Sequence, residues 1–166
     1  MKTTLLFDFT VNMESRTVTV RREFDAEIKL VWEAWTNPKI LDQWWAPEPY
    51  KARTVYMDFK EGGRRFYAMV GPDNSEESWN IEDYTSISPE NNFRFLSVFA
   101  DTDENMQLPG TNWDVSFSAK EGITMVNVSI YSESREELER WIKMGFREGF
   151  TMALNQLVNL LQKPKP

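Results

Sequence analysis

The stretch Ser134–Leu161, SREELERWIKMGFREGFTMALNQLVNLL, decides how the rest of the chain is read. Ser134 followed by Glu137 has the spacing of a capping box, in which the hydroxyl takes an early backbone N–H and the glutamate reaches back. Apolar residues then recur three and four apart, at Leu138, Trp141, Ile142, Phe146, Phe150, Leu154, Leu157, Val158 and Leu161. That is the period of an amphipathic helix. At 1.5 Å per residue the helix would span roughly 40 Å, the width of a small domain, and Pro164 and Pro166 mark its end. Gly145 and Gly149 share a face near its middle, and each costs about 1 kcal/mol against alanine in a helix interior. Close packing of the helix on a sheet offsets that cost, or the missing side chains leave room for a ligand. Ala153 extends the strip of small residues and serves both readings.

Working outward, 166 residues suit one domain, and 41% hydrophobic residues suffice for a core. Seven Trp and eleven Phe are many for this length, and large aromatics fill cores or line concave pockets. A net charge of −7 argues against nucleic acid and against an anionic membrane surface, both of which call for basic footprints. With no cysteine and no histidine, disulfides, thiol nucleophiles, Cys/His zinc sites and imidazole acid–base schemes are excluded. No cofactor or metal is expected. The first residues, MKTTLLFDFTVN, form neither a signal peptide nor a membrane span, so the expected location is the cytoplasm.

Upstream of the helix the period is 2. Residues 16–24 alternate as a half-buried strand, and residues 4–11 offer a short extra one. Two short helices follow the first strand: Ile28, Val31, Trp32 and Trp35 make one stripe, and Asn37-Pro38 starts a second helix that carries Leu41, Trp44 and Trp45. From Tyr50 to Tyr131 six strands alternate with turns, at Gly62-Gly63, Gly71–Ser75, Ser88–Asn92, a loop near Asp101–Gly110, and Lys120–Gly122. Short turns make antiparallel neighbours. The expected fold is therefore α+β: a seven-stranded curved antiparallel sheet wrapped around a long C-terminal helix, with two short helices after the first strand. The expected division is an N-terminal extension over 1–15, one domain over 16–162 and a tail over 163–166.

The runs VRREFDAEIKLVWEAWTNPKILDQWWAP, MDFKEGGRRFYAM, IEDYTSISPENNFRF and LERWIKMGFREGFTMALNQLVNLL, in that order over roughly residues 16–161, resemble the Aha-type family. These are homologues of the C-terminal domain of the activator of the heat-shock-protein-90 ATPase, within the START-like (SRPBCC) helix-grip superfamily. The resemblance implies a cavity between sheet and helix of the kind that holds lipids, sterols, polyketides or hormones. It implies no shared catalytic set, and the N-terminal domain that goes with the chaperone role is not expected here, which argues against that role. At Arg65 the sequence departs from the pattern, since relatives usually carry an aromatic there. Tyr67 and Met69 match the family and share its face. If that face is inward, Arg65 puts a charge at the cavity and needs an anionic partner from the protein or a ligand; if Phe66, Ala68 and Val70 point inward, Arg65 is solvated.

The candidate cavity residues are Met57, Arg65, Tyr67, Met69, Trp79, Phe95, Phe99, Trp113, Gly145, Phe146, Gly149, Met152 and Ala153, which would equally serve as plain core. Asp58, Glu82, Asp83 and Tyr84 are acid–base groups if they border a pocket and a solvated sheet face otherwise. Three functions follow. The first is binding of an apolar or amphipathic small molecule between sheet and helix. The second is a protein-interaction module, chaperone-associated or regulatory, for which an exposed patch around Trp44, Trp45 and Pro47 would speak. The third is a cyclase- or hydrolase-type enzyme. Expected partners are a small ligand and a protein, with no nucleic acid and no membrane, the chain being a monomer or homodimer.

Overall fold

The computed structural model describes residues 4–162; the tail 163–166, with Pro164 and Pro166, and the first three residues lie outside it. The alternating stretches become β1 Phe7–Asn12, β2 Thr17–Phe24, β3 Lys51–Met57, β4 Arg64–Val70, β5 Glu76–Ser88, β6 Asn92–Ala100, β7 Thr111–Lys120 and β8 Ile123–Ser132. They form one curved, unclosed antiparallel sheet in the order β1-β2-β8-β7-β6-β5-β4-β3. Strands β3 to β8 are a meander, and β2 joins it through β8, with Thr17 opposite Tyr131 and Phe24 opposite Thr124. The sheet has eight strands rather than seven because the N-terminal segment does add a strand. Phe9 and Val11 of β1 lie opposite Val20 and Val18 and pack onto the core.

The two short helices are α1 Ile28–Thr36 and α2 Pro38–Trp44. Asn37 separates them; its Oδ1 accepts the Lys39 N–H at 2.9 Å, and Pro38 sits in the first turn. Trp32, Trp35, Trp44 and Trp45 all point into the core, and the Trp44 indole donates to the Ala34 carbonyl at 2.9 Å.

The C-terminal stretch is two helices, not one: α3 Arg135–Lys143 and α4 Phe146–Leu161. Ser134 caps α3, accepting the Glu137 N–H at 3.2 Å, but the Glu137 carboxylate turns forward to Arg140 at 2.8 Å. Gly145 takes a left-handed φ of +102° and breaks the path. The apolar period survives the break because Trp141 and Phe146 stack across it, ring centroids 3.6 Å apart. Spacing alone therefore reads straight through the elbow.

The two glycines accordingly differ in role. Gly145 is an elbow that only glycine fills without strain. Gly149 is a true helix-interior residue, and a Cβ there would meet Pro47 Cγ at 3.6 Å, an ordinary contact. In urea unfolding, Gly145→Ala is expected to destabilise by about 1–2 kcal/mol, and Gly149→Ala to stabilise by about 0.5–1 kcal/mol. Equal losses at both positions would contradict these assignments.

Candidate functional site

Strand register sorts the concave, helix-bearing face into rows. One row is aromatic and aliphatic: Tyr84, Phe95, Trp113 and Ile130 lie side by side across β5 to β8. Phe95 and Trp113 stack at 5.3 Å, and Trp113 meets Phe150 of α4 at 5.6 Å and Trp45 at 5.8 Å. The next row is polar throughout: Arg65, Glu82, Ser97, Thr111 and Ser132. A third row, Thr54, Tyr67, Asn80 and Phe99, runs across β3 to β6.

Arg65 faces inward and is 0% exposed. The protein supplies its anionic partners. Nη1 lies 3.3 Å from Glu82 Oε2, Nε donates to Thr54 Oγ1 at 3.2 Å, and Nη2 lies 3.6 Å from Asp42 Oδ1. The guanidinium stacks on the Tyr67 ring at 3.9 Å, so Nη2, which has no hydrogen-bond partner, meets an aromatic face. Tyr84 donates its hydroxyl to Glu82 Oε1 at 3.1 Å, and the Trp45 indole donates to the Tyr67 oxygen at 2.8 Å. Asp42 of α2 accepts the Thr54 hydroxyl at 2.6 Å and the Thr54 N–H at 3.1 Å. The network thus fastens α2 to the β3–β4 hairpin.

Burial pulls the Arg65 pKa down, but Glu82, Tyr67, Tyr84 and Asp42 together outweigh it, and the group stays charged. Burial pushes the Glu82 carboxyl up, against the pull of Arg65 and Tyr84. Burial, chiefly, also raises the Tyr67 and Tyr84 phenols. Glu82 and Asp42 already face the guanidinium, so Arg65 offers an incoming anion little attraction.

Of the expected cavity residues, Arg65, Tyr67, Phe95, Trp113 and Ala153 are buried on the concave side, and Met57, Met69 and Phe146 pack against that core. Others do not. Trp79 lies opposite Ala100 and Ala68, on the convex face, stacked on Phe66 at 5.1 Å in a separate small core with Ile81 and Val98. Both faces of β5 carry large apolar residues, so alternation leaves the direction open. Met152 is 44% exposed, and Gly145 shapes the elbow, a Cβ there meeting only the Glu148 carboxylate at 3.8 Å. Phe99 is on the concave face but is 50% exposed, beyond the reach of β7, whose pairing with β6 ends at Ser97–Thr111.

The acid–base candidates split across the sheet. Glu82 and Tyr84 belong to the buried network, Asp83 is held by Arg64 at 2.6 Å on the convex side, and Asp58 is exposed beside Lys60. Two hollows stand out. One, of about 480 Å³, lies at the β3–β4 hairpin around Tyr56, Gly62, Arg64 and Asp83. The other, of about 420 Å³, lies at the ends of β5 and β6, with Ser78, Trp79, Phe99, Asp101, Thr102 and Gln107 among its walls.

A family model described as Activator of Hsp90 ATPase homolog 1-like protein matches residues 25–162. The chain belongs to this family. Its fold recurs in solved structures of bacterial proteins. One from Mycobacterium smegmatis is 30% identical, with a TM-score of 0.84 over 95% of this chain and 98% of that one. One from Arthrobacter aurescens is 28% identical, with a TM-score of 0.88 over 95% and 92%. One from Staphylococcus epidermidis is 26% identical, with a TM-score of 0.81 over 95% and 96%. Comparison with curated proteins finds no match. Membership in the activator-homolog family supports a ligand-binding or regulatory module in general terms. No helix among the described residues is long and apolar enough to cross a membrane.

Proposed function

We propose that this activator-homolog chain binds a small apolar or amphipathic molecule on the concave face, entering at the Phe99 end. The observation that carries this reading is the half-exposed Phe99 ring, in the same row as buried Tyr67 and Asn80 and bordering the 420 Å³ hollow. That volume is within the range of small-molecule sites. Behind it, the polar Arg65–Ser132 row offers hydrogen-bonding groups, and the Phe95–Trp113 row offers apolar contact. Apolar burial supplies affinity and the polar row orientation. The protein-interaction reading loses its exposed patch, because Trp44 and Trp45 are buried.

Native mass spectrometry of the purified protein, followed by denaturation and analysis of released small molecules, tests the proposal. Tryptophan fluorescence then follows titration with lipids and polyketides. A co-purifying or titrating apolar compound is expected, weakened about tenfold or more by Ser97→Leu, which fills the polar row. A protein that stays at its bare mass, with no fluorescence change across the panel, would overturn the reading.

A further inference from the structure

The walls of the Phe99 hollow say what kind of head group suits it. Among the described residues they hold two aromatics, Phe99 and Trp79, the methyl of Ala100, the neutral polar side chains of Ser78, Thr102 and Gln107, and one carboxylate, Asp101, and none of these is basic. Asp101 is fixed by its own turn, its Oδ1 accepting the Asp103 and Asn105 N–H groups at 2.9 Å and its Oδ2 the Asn105 amide at 2.9 Å. Those bonds, led by the Asn105 side chain, hold its pKa below the ordinary carboxylate value, so it stays ionised. The Trp79 ring already receives a cation, the Arg53 guanidinium at 5.6 Å. The chain as a whole carries −7. Deeper in, the one buried guanidinium of the polar row is held by Glu82 and Asp42.

We infer that the hollow takes a cationic head group, an amine or quaternary ammonium, through the Phe99 face and the Asp101 carboxylate. Cations are attracted to the negative face of an aromatic ring, and a fixed carboxylate beside it adds to the field. An anionic head group would meet Asp101, while the neighbouring cation, Arg53, is seated on the Trp79 ring and outside the lining residues. The inference rests on the ligand-binding reading above, and it adds that the bound amphiphile is positively charged at its polar end.

Three probes with one apolar tail separate the two claims: octyltrimethylammonium, 1-octanol and octanoate, each titrated below its aggregation limit. Amide chemical shifts of Ser78, Phe99, Thr102 and Gln107 report the hollow, and the indole N–H shifts of Trp45 and Trp113 report the concave face. The cationic probe is expected to bind about tenfold tighter than octanol, with octanoate weakest, and the gap should shrink as sodium chloride is raised. Phe99→Leu, which keeps an apolar side chain but removes the ring, and Asp101→Asn, which keeps an Oδ1 acceptor for the turn, should each weaken the cationic probe severalfold more than they weaken octanol. Equal affinities for the three probes would overturn the head-group assignment and leave concave-face binding standing. Absence of binding by all three would overturn both.

Discussion

Arg65→Met alone is expected to destabilise the protein by about 3–5 kcal/mol, because it leaves the Glu82 charge buried without its partner. Glu82 is 3% exposed, so water does not replace the guanidinium. The double change Arg65→Met, Glu82→Leu is expected to recover most of the loss, since an apolar pair of similar volume in place of a buried ion pair is often neutral or stabilising. Urea unfolding of the two single variants and the double variant gives the coupling directly. If the double variant is as unstable as the singles added together, the pair is not the unit described here. The same set carries a pH signature. Burial raises the folded-state pKa of Glu82, so its contribution is fully present below the unfolded value of about 4.3 and is lost as pH rises through the raised folded value. Relative to a Glu82→Gln variant, the parent protein should therefore lose stability across that window.

Gly63→Ala is the second large effect. A Cβ at Gly63 would lie 2.0 Å from the Asp58 carbonyl oxygen and 3.0 Å from that of Lys60. Both are backbone atoms of the β3–β4 turn, and they cannot rotate away as a side chain would. The turn is tied at several points: Gly63 N–H donates to Lys60 O at 2.8 Å, Tyr84 N–H to Gly63 O at 3.0 Å, and Asp58 N–H to Arg64 O at 2.9 Å. Relief of the clash must move the start of β4, and Arg65 with it. The expected cost is about 4 kcal/mol or more, in the exceptional tail for a single substitution. Gly62→Ala is the control. Its Cβ would meet nothing within 4 Å, but φ is +83°, so about 1–2 kcal/mol of backbone strain is expected. Comparable losses in the two variants, read from urea midpoints, would mean that conformation rather than the close approach decides this turn.

Strand and helix order was legible because the change of period from 3.6 to 2 is a property of the residues themselves. The same holds for the caps at Asn37 and Ser134, where side-chain chemistry is local. The elbow at Gly145 was not legible, since Trp141 and Phe146 stay in phase across it. Glu82 was not legible as the partner of Arg65, because a carboxylate in an alternating strand reads as solvated until the β4–β5 register sets it opposite a buried cation. The direction of Arg65 stayed open in the sequence, because the family pattern at Tyr67 and Met69 pointed it inward while alternation with Phe66, Ala68 and Val70 did not. The outward direction of Trp79 would have needed knowledge of the second small core, which closes on the convex face with Phe66, Ile81 and Val98. The exposure of Phe99 depends on where β7 stops, and no residue type announces that.

The joining of β2 to β8 has a consequence for the order of events as the chain leaves the ribosome. The hairpin of β1 and β2 is made early, but the strand that completes it, opposite Thr17–Phe24, is Thr124–Tyr131. At ordinary rates of synthesis the wait is on the order of 5–20 s. Throughout that interval β2 presents an open edge, and Val18 and Val20, buried in the finished protein, have only part of their cover. The meander from β3 to β7 can zip up meanwhile by local pairings, which close quickly. The last strand before the C-terminal helices is therefore the seam of the molecule, and the early hairpin is the segment most in need of protection until that seam is sewn.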